Sequence, residues 1–206
     1  MEFKDRFRGY LPVVLDLETG GVDPFNHAII EIAIVFLEWR DDMLHPSKHH
    51  RWAVLPHPDT CIEDSSLDLI GIDPFDPARG AQLEETCLRE CFRNIRKRLK
   101  ANSCTRAYLV GHNAYFDHNF IRAAAQRNDI GQNPFHLFTV IDTASLAAVN
   151  FGHSVLSVAC ARAGIEFDDK KAHSALYDAT VTAQLFCTIV NDCDFNPDWI
   201  NLNTND

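Results

Sequence analysis

The sequence predicts an α/β fold, a mixed five-stranded sheet flanked by helices. Three observations carry this. Apolar runs of strand length dominate the first 55 residues, two further short strands follow, and the remaining segments show helical spacing. Strands first, then helices and strands in alternation, suits a mixed sheet with helical cover. A chain of 206 residues is long enough for one well-cored domain. A single domain over residues 1–195 is expected, with a polar tail at 196–206.

Leu11–Leu17 is a Val-rich run bounded by Pro12 and a Thr-Gly-Gly turn, and reads as a buried strand. Ile29–Trp39 is a second strand, with Glu31 and Glu38 near its ends. The segment from Asp41 to His50 is polar and turn-like, and Arg51–Leu55 returns as a third strand, making an antiparallel meander. Asp64–Ile70 forms a short helix whose Asp-Ser-Ser lead offers N-caps, and DPFDPARG is a loop. Leu83–Lys100 carries Leu88, Phe92, Ile95 and Leu99 at the spacing of one helix face. Ala107–Gly111 is a strand, Ala114–Gln126 a helix and Phe138–Ile141 a strand. Helices follow near Thr143–Val149 and Val155–Ala163. Ala172–Asn191 is the longest, with Leu176, Ala179, Ala183, Phe186 and Val190 facing inward.

Composition narrows the function classes. The 46% hydrophobic and 23% charged content is that of an ordinary globular chain. No run approaches the roughly 18 apolar residues of a membrane span, and MEFKDRFRGY lacks the apolar core of a secretory signal. Seven cysteines form no CxxC pair; Cys87, Cys91, Cys160 and Cys187 sit in apolar helical contexts and read as reduced core thiols. A cytoplasmic protein without a membrane partner is expected. A net charge of −10 argues against nucleic acid, but it is unevenly spread. Arg89, Arg93, Arg96, Lys97, Arg98, Lys100 and Arg106 crowd one stretch, and Lys4, Arg6 and Arg8 the N-terminus. Such a basic face reads equally as a solvated surface.

Four separate segments carry the chemistry. They are Asp16-Leu17-Glu18 in VVLDLETGG, Asp117 in GHNAYFDHNF, Asp142 in VIDTASL, and His173 with Asp178 in AHSALYD. Two-residue spacing on a strand sends Asp16 and Glu18 to one face and Leu17 to the other. The alternative is that one acid merely caps the Thr-Gly-Gly turn. Asp117, in the first turn of its helix, suits either a helix dipole or a shared site. His173 precedes the long helix, where a side chain titrating near neutrality can take a proton from water. Gathered acids repel one another unless cations lie between them. Two divalent ions roughly 3.5–4 Å apart are the usual apparatus for in-line attack on a phosphodiester.

Taken together, these segments resemble the DEDD exonuclease superfamily, in the subgroup with a His five residues before the last Asp. The resemblance is closer to its ribonuclease T family: DRFRGYLPVVLDLETGG, GIDPFDPARGA, HNAYFDHNF, NPFHLF, DTASLA and AHSALYDATVTAQLF match, over nearly the whole chain to about Phe195. It implies an RNase H-like fold and trimming of single-stranded 3′ ends of RNAs such as tRNA, with release of nucleoside 5′-monophosphates. It also implies action on single-stranded DNA. Two Mg²⁺ per active site are implied, with Mn²⁺ as a substitute. Asp16, Glu18, Asp117 and Asp178 match the metal-binding acids, and His173 the catalytic base within the same metal site. Asp142 matches a further acid, expected to support the site or to cap the helix beginning at Thr143.

The same resemblance implies a homodimer in which a basic patch on one subunit delivers RNA to the other's site. Arg6, Arg8, Lys100 and Arg106 match that patch. The family stacks terminal bases on phenylalanines, matched by Phe116 and Phe138, whereas Val22 and Leu69 stand at two more such positions and cannot stack. An acid that reads the terminal base is replaced by Ser65. Weaker or altered selectivity among 3′-terminal bases is therefore expected. The runner-up is a proofreading exonuclease subunit of a DNA polymerase, against which DRFRG and NPFH stand. A non-catalytic binding module would have no need of all five site residues.

Overall fold

The computed structural model describes residues 1–196, 198 and 200; the remainder of the expected 196–206 tail lies outside the described residues. Its sheet has the order β4-β3-β2-β1-β5-β6. β1 (Tyr10–Thr19), β2 (Ile29–Arg40) and β3 (Met43–Leu55) form the antiparallel meander. β5 (Arg106–Gly111) joins β1 in parallel, and β6 (Phe135–Asp142) joins β5 in parallel. The sixth strand, β4 (Gln82–Leu83), pairs in parallel with Val54 and Leu55. Two residues leave no periodic trace in a sequence, so five strands were legible and the sixth was not.

β1 is central and buried along almost its whole length, which explains its unbroken apolar run. It pairs with β2 only from Val13 onward, so Pro12 falls where β1 has a single neighbour and the missing N–H breaks no second ladder. The turn-like reading of 41–50 is corrected here. Asp41 and Asp42, with φ of 49° and 59°, make the two-residue left-handed turn that matches strand twist, and β3 begins directly at Met43. Its polar residues hid it, because β3 is only partly covered.

The helices are α1 (Phe3–Arg6), α2 (Asp64–Ile70), α3 (Glu84–Ala101), α4 (Tyr115–Arg127), α5 (Thr143–Phe151), α6 (Leu156–Arg162) and α7 (Ala175–Asp192). The single turn α1 was not expected; Phe3 seats it in the core against Phe7 and Trp39. α2 buries none of its residues, and Glu63, not the Asp-Ser-Ser lead, occupies its N-cap without a side-chain bond. α3 and α4 are stapled by Glu84, buried at the first turn of α3, which accepts from Arg127 Nε (2.7 Å), Arg127 Nη2 (2.6 Å) and Asn128 Nδ2 (2.6 Å). α7 crosses β1, β2 and β3 and meets α5 and α6 through a second small apolar cluster around Ala147, Ala159, Leu185 and Ile189. Among the described residues no single helix is long and apolar enough to cross a membrane.

Candidate active site

The site forms where β1 and β5, parallel neighbours, end at the same edge of the sheet. Asp16 stands opposite Ala33 and Glu18 opposite Glu31, just before the β1–β2 register slips between Glu18 and Thr19. The Thr19 hydroxyl donates to the Gly21 carbonyl at 2.8 Å, so the Thr-Gly-Gly turn has its own cap and does not employ the acids for it. Gly21 is required there: a Cβ would lie 2.3 Å from His27 Nδ1, the atom that accepts the Asp23 N–H at 2.9 Å.

After β5 the chain turns through Asn113 (φ 64°) into α4, whose first turn carries Asp117. Asp117 is buried, and its Oδ1 accepts the Leu17 N–H at 3.1 Å, which ties α4 to the strand between Asp16 and Glu18. Asp178 lies in the first turn of α7. His173 precedes that helix in the left-handed region (φ 64°), and its backbone N–H donates to Asp178 Oδ2 at 2.9 Å. Carboxylate oxygens of Asp16, Glu18 and Asp178 all lie within 4.8 Å of one another. Asp117 and the exposed His173 share the same cavity of about 560 Å³, with His112, Asn113 and Phe116 on its wall.

Burial and mutual repulsion dominate the electrostatics. Burial first, then the charges of Asp117, Glu18 and Asp178, push the Asp16 carboxyl well above its usual range. Glu18 is raised from 4.5 to about 8 by burial and the charges of Asp178, Glu31 and Asp117. Asp117 is raised from 3.8 to about 8 by burial, against two backbone N–H bonds that lower it. Asp178 is raised by burial, partly offset by the His173 N–H. Four acids that resist ionisation together form a donor set suited to hard divalent cations, which replace that repulsion with attraction.

Asp142 belongs to the frame and not to the cavity wall. It caps α5 through the Ala144 (3.3 Å) and Ser145 (3.1 Å) N–H groups and the Ser145 hydroxyl. It also accepts from Asn113 (2.8 Å) and Ala114 (3.3 Å), the turn that aims α4. Burial raises its pKa, but these donors outweigh that and hold it below the usual value. Next to it, His112 bonds Thr143 Oγ1 at 3.0 Å and the Ser154 carbonyl at 2.7 Å.

The expected substrate-binding residues divide. Phe116 lines the cavity, with its ring 4.8 Å from Phe120. Phe138 is 68% exposed on β6, where its carbonyl accepts the Tyr115 hydroxyl at 2.9 Å. Val22 and Leu69 are exposed, as is Ser65 on α2. Arg8, Lys100 and Arg106 are exposed and gather at the far end of the sheet, where Arg106 pairs in register with Tyr10 and Thr105 N–H bonds the Gly9 carbonyl. Arg6 departs from that group: it is half-buried, with its guanidinium 4.1 Å from the centre of the Phe195 ring. Sequence reading missed Arg51 and Arg79, which bind Glu31 behind Glu18. The available signal was an acid inside the apolar run IIEIAIVF.

This sheet with its carboxylate cluster defines a phosphodiesterase-type nuclease fold of the RNase H-like class. Solved exonuclease structures share the architecture. The nuclease domain of 3′hExo, a DEDDh family member bound to rAMP, aligns with TM-score 0.67 at 18% identity, covering 88% of this chain and 92% of that one. A full-length 3′-exonuclease aligns with TM-score 0.70 at 19% identity, covering 89% and 62%. The family model RNase_T, described as exonuclease, matches residues 13–186. Ribonuclease T of Hahella chejuensis is 54% identical over 187 residues, 90% of this chain and 86% of that protein. Ribonuclease T of Vibrio cholerae is 47% identical over 193 residues, 93% and 86%. The chain belongs to the RNase T exonuclease family.

Proposed function

We propose that this enzyme is a 3′-to-5′ exoribonuclease that trims single-stranded 3′ ends of structured RNAs such as tRNA, releases nucleoside 5′-monophosphates, and also acts on single-stranded DNA. The observation that carries the reading is the convergence of Asp16, Glu18 and Asp178 within 4.8 Å, with Asp117 and His173 on the same cavity. Relatives named ribonuclease T at 46–54% identity support the RNA substrate.

Asp16, Glu18, Asp117 and Asp178 would hold two Mg²⁺ ions, with Mn²⁺ as a substitute. Bound there, the cations supply charge neutralisation and a lowered pKa for water. A ring nitrogen of His173 takes the proton from the attacking water; its backbone bond to Asp178 sets the segment from which the ring reaches the site. Leu17 N–H keeps Asp117 aimed at the same place. Phe116 and Phe138 offer rings to the bases of the strand end, a sequence-tolerant contact. Exposed Val22, Leu69 and Ser65 support altered terminal-base selectivity.

Arg8, Lys100 and Arg106 lie at the opposite end of β1 from Asp16; Tyr10 and Asp16 alone span about 20 Å of strand. A strand held by that patch is better placed to enter the site of a second copy, which supports a homodimer. Seven unbridged cysteines, four of them buried, fit the reducing cytoplasm. The test is digestion of 3′-labelled RNA and DNA by the wild type and by Asp178→Asn, with and without chelator. Chelator and the substitution should each abolish cleavage while circular dichroism stays native. Normal turnover by Asp178→Asn in Mg²⁺ overturns the assignment.

A further inference from the structure

Directly behind Glu18 lies a charged cluster that the chemistry above does not use. Glu31, Glu18's cross-strand partner, has a side chain only 1% exposed. Arg51 on β3 grips it through Nε (3.2 Å) and Nη2, and Arg79 Nη2 approaches at 3.9 Å. Arg79 is itself committed to the fold: Nη1 donates to the Pro74 carbonyl at 2.9 Å and Nη2 to the Ile30 carbonyl at 2.8 Å. This gives the DPFDPARG loop its reason, since its arginine fastens residues 74–79 to β2 beside the site. All three side chains line a second cavity, about 700 Å³, which shares Ala172 and His173 with the carboxylate cavity.

A purely structural ion pair explains the burial of Glu31 and nothing more; such pairs are often replaceable without loss of stability. Here the pair has an address. One more buried carboxylate next to four metal-holding acids would offer a competing seat for a cation, and the Glu31 charge already reaches Glu18. Two guanidiniums occupy Glu31 and remove that seat. Arg51, with 45% of its side chain exposed, is the accessible half of the clamp.

We propose that Glu31, Arg51 and Arg79 are positioning residues for the metal site, a carboxylate–guanidinium clamp that fixes how strongly and where the carboxylates hold their cations. This rests on the metal-dependent reading above.

The clamp predicts opposite signs from its two halves. Glu31→Gln leaves cationic guanidiniums behind Glu18 and should weaken Mn²⁺ binding about fivefold by calorimetry. Arg51→Met leaves Glu31 less neutralised and should tighten Mn²⁺ binding by a similar factor while kcat falls and KM holds. The double variant should return affinity toward wild type, and Arg51→Lys should rescue most of kcat. Thermal unfolding in chelator checks that each variant folds, and the neutral Arg51→Gln stands in if Arg51→Met does not. Unchanged affinity in both single variants, or weakening in both, overturns the clamp. If Asp178→Asn still cleaves, the metal reading itself fails; if Asp178→Asn is dead and the clamp variants bind Mn²⁺ normally, only the clamp does.

Discussion

The two ends of β1 are built on opposite terms. At its C-terminal end, Asp16, Glu18, Asp117 and Asp178 are crowded and largely shielded, and each is held above its ordinary pKa. Backbone donors from β1 and from the lead into α7 fix two of them. At its N-terminal end, Arg8 and Arg106 stand exposed on flexible side chains, with Arg106 held by a single 3.2 Å bond to the Phe135 carbonyl. Crowded charge needs cations and a rigid frame; dispersed exposed charge needs neither and acts through the long-range field. On the proposed reading the first arrangement performs chemistry and the second gathers polyanions. On that reading the division also lets a chain of net charge −10 engage nucleic acid: four of its 29 acids would meet metals, and its exposed base at the far end of β1 is local.

The sharpest break in the comparison comes from the chemical end. His173→Ala should lower kcat by about 10²–10⁴-fold with little change in KM or in unfolding temperature, because the exposed ring contributes a proton acceptor and little packing. Single-turnover cleavage of a short labelled oligonucleotide measures it; a loss below tenfold removes His173 from the role of base.

At the basic end, Arg8→Ala with Arg106→Ala should raise KM for long RNA by roughly tenfold at low salt and leave kcat unaltered. The logarithmic salt dependence of binding should lose about two units of slope. The same pair should leave cleavage of a dinucleotide, too short to reach the patch, unaffected.

A smaller effect is expected where aromatic rings are missing. Leu69→Phe on exposed α2 should tighten binding of a strand end by about 1–3 kcal/mol and change the ranking of 3′-terminal bases, read from trimming rates on oligonucleotides ending in each base. The wild type should show no strong aversion to terminal C.

The smallest predicted effect concerns stability. In chelator, folding raises Glu18 from 4.5 and Asp117 from 3.8 to about 8, so the folded chain binds more protons than the unfolded one across that interval. Their contribution is complete below about pH 4 and is lost as pH climbs through 8. The unfolding temperature of the chelated protein should therefore drop by several degrees from pH 5 to pH 8. Excess Mg²⁺ should remove that slope.

Much of this was legible in the residues. Helix faces such as Leu88-Phe92-Ile95-Leu99 and the Val-rich β1 announce themselves because burial on one face or on both imposes a period or a run. Asp16 and Glu18 share a face by strand geometry alone, and His173, five residues before Asp178 and ahead of α7, lines the site without lying on the helix. β3 escaped because a partly covered strand keeps its polar residues, and β4 because two residues have no period.

What the order of residues decided, then, was which segments become strands and helices and which acids were available, since those follow from local periodicity and side-chain chemistry. Folding in three dimensions decided which groups meet. Glu31 faces Glu18 only through the β1–β2 register, and Arg51 and Arg79 reach it from 20 and 48 residues further along the chain. Asp142 serves two helix starts at once because β5 and β6 lie side by side. Contacts of that kind depend on sheet order and register, which no local pattern encodes.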